Sequence, residues 1–161
     1  MKHLVLLISV LLVACTTVQT TQQGAVGVNR KQYMLVSEAE VEKSAVTSYQ
    51  QELDGAKQKG GLNADPAQTQ RVRTIANRLI PATTVLRPDA QQWKWEINVQ
   101  KTDDVNAYCM PGGKIMVYSG LIEKLNASDA ELAAVIGHEI AHALREHTRE
   151  RVSRAYAQQL G

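Results

Sequence analysis

The segment His138-Glu139-Ile140-Ala141-His142 narrows the fold of this chain more than any other, because its residue types cooperate only on an α-helix. Residues four apart lie on one helical face about one turn apart, so two imidazole nitrogens can reach a single zinc ion. The carboxylate of Glu139 could then take a proton from a water that the ion has acidified to a pKa of about 7, which makes it a general base rather than a ligand. Helical context is present. Ser128 followed by Glu131 forms a capping box, and Glu131, Leu132, Ala133 and Ala134 are good helix formers, so a long final helix is predicted from this point. Ala134, Val135, Ile136, Ile140, Ala141 and Leu144 surround the motif with apolar side chains. A half-buried His-Glu-His set there is costly unless something satisfies it, and a metal does so. The competing reading is a surface helix that carries the three residues by coincidence.

His147 lies nine positions beyond His138, so it points to the opposite side of the helix, about 180° away, cannot share that ion, and is read as structural. Arg145, Arg149, Arg151 and Arg154, interleaved with Glu146 and Glu150, are read as a solvated face.

Earlier in the chain, Ser37 with Glu40 makes a capping box, and Val41, Ala45, Tyr49, Leu53 and Ala56 recur at helical spacing until Gly60-Gly61. Asp65-Pro66 starts a second helix with Val72, Ile75, Ala76 and Leu79 on one face, ended by Pro81. The period then changes. Trp93, Trp95, Ile97 and Val99 alternate with polar residues as in a strand with one buried face. Residues 105–110 and 114–118 flank Pro111-Gly112-Gly113 and read as a hairpin, which predicts a small antiparallel sheet followed by a short helix over 119–125. The expected class is α+β, with helices packed on that sheet. The chain contains no Phe, so the core is expected from Leu, Ile, Val and Ala, with Trp93 and Trp95 as its largest possible members.

At the other end, Lys2, the apolar run 4–13 and Ala14 before Cys15 have the layout of a cleavable export signal. The run is too short to span a bilayer, which takes about 20 residues. Leu12-Val13-Ala14-Cys15 also resembles a bacterial lipobox, so residues 1–14 are read as a lipoprotein signal peptide and Cys15 as the lipidation site. An ordinary secretory signal is the alternative. Thr16 after the cysteine fits outer-membrane sorting by the same resemblance. Residues 15–29 are polar and read as a flexible tether, with the folded domain over 30–161. Cys109 then has no intrachain partner and is read as a small buried apolar residue. With 18 basic against 16 acidic residues and no like-charge run, nucleic acid is set aside as a partner.

Over 104–151 the sequence resembles the zinc metallopeptidase family of the CAAX prenyl endopeptidases, HtpX and the BepA-like and LoiP-like envelope proteases, peptidase family M48. The matching residues are Asn106-Ala107, Pro111-Gly112-Gly113, Ile115, Val117, Gly120-Leu121, the run 131–135, Gly137 through His142, His147 and Arg151. Together with the lipobox, the resemblance points to the envelope lipoprotein branch.

It implies a zincin-like (gluzincin) fragment with a long active-site helix. His138 and His142 would be zinc ligands and Glu139 the catalytic base. An edge strand, 114–118 or 105–110, would take a substrate peptide, with Asn106 and Ala107 as substrate contacts. The implied activity is zinc-dependent endopeptidase cleavage of unfolded or misfolded envelope proteins, by an enzyme held through its lipid on the periplasmic face of the outer membrane. The family's third zinc ligand is a glutamate on a later helix, whereas 19 residues follow His142 here. Glu146 would lie about 12 Å along the helix from His138 and Glu150 further still. No third metal ligand is found, so 30–161 is expected to be the N-terminal part of the domain. A non-catalytic envelope scaffold that binds unfolded chains is the alternative function, and a lipid-tethered structural protein with a chance motif is a third.

Overall fold

The computed structural model describes residues 16–22 and 30–160. The signal segment and Cys15 lie outside them. Helix α1, Glu38–Gln58, begins at Ser37, whose hydroxyl accepts from the Glu40 N–H while the Glu40 side chain accepts from the Ser37 N–H. Its buried positions are the five at helical spacing, Val41, Ala45, Tyr49, Leu53 and Ala56. Helix α2, Pro66–Leu79, is capped by Asp65, which accepts from the N–H groups of Ala67 and Gln68. Two 3₁₀ turns, Ile80–Val85 and Pro88–Gln92, lead to the strands.

Strands β3 (Glu96–Gln100), β4 (Ala107–Met110) and β5 (Lys114–Tyr118) form a sheet in the order β3-β5-β4. The β4–β5 hairpin is antiparallel, as its turn predicts, and both Gly112 (φ 77°) and Gly113 (φ 79°) occupy the left-handed region that such a turn demands. The expectation of a wholly antiparallel sheet is corrected, because β3 pairs with β5 in parallel. Ile115, Met116 and Val117 make β5 apolar on both faces, so it takes the centre, and β4 turns back along its far side.

The sheet divides the molecule into layers. Ile115, Val117, Ala107, Cys109 and Val99 face α2 and the helix over 129–144 in the main core, while Met116 faces Tyr49 and Leu53 of α1. Trp93 and Trp95 are only partly buried, and the largest fully buried side chain is Tyr49. Its phenol earns that place by donating to the Ile115 carbonyl and accepting from Asn98.

After the short α3, Ser119–Glu123, helix α4 spans Asp129–Leu144 behind its Ser128–Glu131 capping box. The single long final helix is also corrected. Arg145 ends α4, Glu146 adopts φ 51°, and a separate helix α5, His147–Leu160, follows. Arg87 anchors the break, its guanidinium donating to the Leu144 carbonyl and to Glu146, which also pairs with Arg149. Glu146 and Glu150 are therefore buried ion-pair partners rather than a solvated face.

Where the structure describes the segment read as a tether, it is ordered. Strand β1 (Thr16–Val18) pairs antiparallel with β2 (Gln32–Met34). That ribbon is stitched to the C-terminal helices by polar groups: Gln32 donates to the Arg145 carbonyl and to Glu150, and Ser153 accepts from the N–H groups of Leu35 and Val36. Within the 15–29 segment, the Thr20 hydroxyl donates to Gln32 and to the Arg145 carbonyl, so a polar side chain there serves as a hydrogen-bond partner. No described helix is long and apolar enough to cross a membrane.

Candidate metal and catalytic site

Helix α4 buries Leu132, Ile136, Ile140, Ala143 and Leu144. Periodicity then leaves His138, Glu139 and His142 off the core stripe, with His138 exposed and the other two half-buried. The Nε2 atoms of His138 and His142 stand 2.9 Å apart, with ring planes at 89°. Two imidazoles sharing one tetrahedral zinc at Zn–N distances of about 2.0–2.1 Å place their nitrogens about 3.3 Å apart. The pair fits such an ion with a shift of a few tenths of an ångström.

Among the described residues no set of three His, Cys, Asp or Glu side chains converges on one ion. Glu146 is engaged by Arg87 and Arg149, each at 2.7 Å, and Glu150 by Gln32, Arg30 and Arg154. Both carboxylates are thus committed elsewhere, and the third metal ligand remains unassigned.

Glu139 and His142 line a groove of about 1170 Å³ whose other walls are α1, residues 108–111 and α5. The same wall holds Cys109, buried and free as expected; burial, and secondarily the Glu139 charge, push its thiol pKa far up and keep it protonated. Of the two candidate edge strands, Lys114–Tyr118 is excluded because β5 is central, and β4 is the edge. The Asn106 carbonyl accepts from the Tyr118 N–H, so antiparallel alternation turns residues 106, 108 and 110 toward β5 and residues 107 and 109 away from it. Asn106 and Ala107 sit at the start of this edge, but the Asn106 side chain accepts from the Ala107 N–H at 2.9 Å and the Ala107 methyl is in the core. What the edge offers outward is the Ala107 carbonyl and both backbone groups of Cys109.

His147 is not on the far side of the helix. The break at Glu146 returns it to α4, where its Nδ1 lies 2.5 Å from Nδ1 of His142. Partial burial, with the charges of His142 and Arg30, holds its pKa below the usual imidazole value. The sequence does carry a signal for the break: the seven residues 145–151 are all polar, so the apolar period lapses between Leu144 and Val152.

A family model described as peptidase family M48 matches residues 66–160. Metalloprotease LoiP of Escherichia coli K12 is 30% identical over 143 residues, covering 89% of this chain and 52% of LoiP. Mitochondrial metalloendopeptidase OMA1 of Arabidopsis thaliana is 47% identical over 60 residues, 37% of this chain and 12% of that protein. Metalloprotease YcaL of E. coli K12 is 41% identical over 59 residues, 37% of this chain and 22% of YcaL. The chain thus spans about half of LoiP and smaller shares of the other two. With the model match extending over more than half of its residues and the mixed α/β architecture in agreement, the chain belongs to peptidase family M48.

Proposed function

We propose that this chain carries the metal-binding helix and substrate edge of a zinc-dependent endopeptidase, in a gluzincin-like arrangement, that cleaves unfolded or misfolded envelope proteins. The observation that carries the reading is the convergence of the His138 and His142 Nε2 atoms on a capped helix, with Glu139 in the groove beside a free strand edge. A bound zinc ion would lower the pKa of water and polarise the scissile carbonyl. His138 and His142 would hold that ion. Glu139 accepts the proton of the attacking water and delivers it to the leaving amine nitrogen. An extended peptide pairs with the outward groups of Ala107 and Cys109, recognition through backbone that suits unfolded chains better than one fixed sequence. Relatives bearing the names metalloprotease LoiP and, in Yersinia pestis, β-barrel assembly-enhancing protease support a proteolytic role in the cell envelope. In keeping with that setting, we assign residues 1–14 as an export signal and Cys15 as the lipid anchor to the periplasmic face of the outer membrane.

A catalytic zinc site takes three protein donors. No described carboxylate joins the pair, so the reading requires a donor from outside the described residues. The unpaired β4 edge also suits a second reading, a scaffold that binds unfolded chains without cleaving them. Casein hydrolysis by the protein complete with that third donor separates the two. The peptidase reading expects cleavage that falls about 10²- to 10⁴-fold in Glu139→Gln with zinc retained. Casein binding without hydrolysis, equal in the wild type and Glu139→Gln, assigns the scaffold.

A further inference from the structure

We infer that His147 is a positioning residue for the metal pair: it fixes the ring orientation and tautomer of His142 through an Nδ1-to-Nδ1 hydrogen bond. The inference rests on the reading of His138 and His142 as ligands.

The His142 ring lies between two other imidazoles. Its Nε2 faces Nε2 of His138 at 2.9 Å, and its Nδ1 faces Nδ1 of His147 at 2.5 Å, with centroids 4.8 Å apart and planes at 61°. His147 therefore meets the opposite nitrogen from the one turned to His138, so it supports His142 and does not join it on an ion. Two neutral imidazoles can approach nitrogen to nitrogen only if one donates and the other accepts. For His142 to offer a lone pair at Nε2, its proton must sit on Nδ1, and His147 Nδ1 must be the acceptor. The His147 proton is then on its own Nε2. One contact thus settles two tautomers and orients the ligand ring, a task that in metal sites usually falls to a carboxylate or a backbone carbonyl.

The geometry is set from outside α4. His147 is the first residue of α5, placed by the left-handed Glu146, and Glu146 is held by Arg87 and Arg149. One turn on, Glu150 is bound by Gln32 of β2. The β1–β2 ribbon and the Arg87 cluster thereby hold the α4–α5 break that sets His147 beside His142.

The test compares the full chain with His147→Ala and His147→Asn, whose carboxamide oxygen falls close to the lost Nδ1 and keeps an acceptor. The first readout, on metal-free protein at alkaline pH where imidazoles are neutral, is the His142 tautomer by two-bond ¹H–¹⁵N correlation. The second is zinc affinity by calorimetric titration, with thermal unfolding recorded for each variant. The inference expects His142 protonated at Nδ1 in the wild type and reverting toward Nε2 in His147→Ala. Zinc affinity should drop about 10- to 100-fold in the same variant, and His147→Asn should recover most of both. An unchanged tautomer in His147→Ala, or His147→Asn as impaired as His147→Ala at equal thermal stability, overturns it. If His138→Ala and His142→Ala bind zinc like the wild type, the metal reading fails on its own, and the tautomer measurement still decides the His147 contact.

Discussion

Replacing Arg87 by Met is expected to destabilise the chain by about 3 kcal/mol. The guanidinium is 7% exposed and reaches Glu146, itself 8% exposed, at 2.7 Å; it also meets Glu38 at 2.5 Å and Asp89 at 3.0 Å, and lies 5.1 Å from the centroid of the Trp93 ring. Removing one partner of a buried ion pair costs about 3–5 kcal/mol, mostly by stranding the other charge. Glu146 keeps Arg149, which places the expectation at the lower end, and the lost contact with Trp93 adds about 0.5 kcal/mol or more. Glu38 and Asp89 are substantially exposed and regain water, so their loss adds little. For a chain of 161 residues each kcal/mol moves the unfolding midpoint by about 3 °C, so the expected shift is about 9 °C. The assay is thermal and urea unfolding followed by circular dichroism, with Glu146→Met and the double variant completing a cycle. The double variant should be less destabilised than the two single effects summed, by at least about 1 kcal/mol. A shift under about 3 °C, or additive effects, would refute the claim that this buried cluster holds the α4–α5 break.

Gly113→Ala should cost at least about 2 kcal/mol in urea unfolding: its φ is 79°, where an L side chain is penalised, and a Cβ would stand 2.7 Å from the Trp95 ring. Burial would raise the Glu150 pKa, but the hydrogen bonds from Gln32 and Arg30 and the charges of Arg30 and Arg154 outweigh it and hold the carboxylate below its ordinary 4.5. A carboxylate depressed in the folded state contributes stability above its unfolded pKa and loses it as pH falls through the folded value. Stability measured below about pH 4.5 should therefore fall less steeply in Glu150→Gln than in the wild type. Ile136→Ala, at a position 1% exposed on the buried face of α4, should lose about 2–5 kcal/mol in the same unfolding assay.

Much of this architecture is legible before any coordinates, for identifiable reasons. The Ser37 and Ser128 capping boxes and the Asp65-Pro66 start mark helix beginnings by local chemistry, and the spacing of Val41, Ala45, Tyr49, Leu53 and Ala56 names the face that α1 buries. Pro111-Gly112-Gly113 announces a turn because its backbone needs positive φ. Alternation around Val99 reveals strand faces but not neighbours, so the parallel β3–β5 pairing, which depends on β5 being apolar on both faces, was not readable. Local signals also fail at Glu146, where a non-glycine residue takes a left-handed conformation under the pull of Arg87, far away in sequence. The candidate site divides in the same way. His138, Glu139 and His142 are singled out by spacing within one helix, whereas His147 reaches His142 only through a tertiary break that spacing cannot express.

The central claim is that His138 and His142 hold one zinc ion together, and the zinc content of the purified chain after chelator treatment and reloading tests it most directly. The account predicts one equivalent in the wild type and in Glu139→Gln, and loss of that equivalent in His138→Ala and in His142→Ala alike. A full equivalent retained in either histidine variant would contradict it.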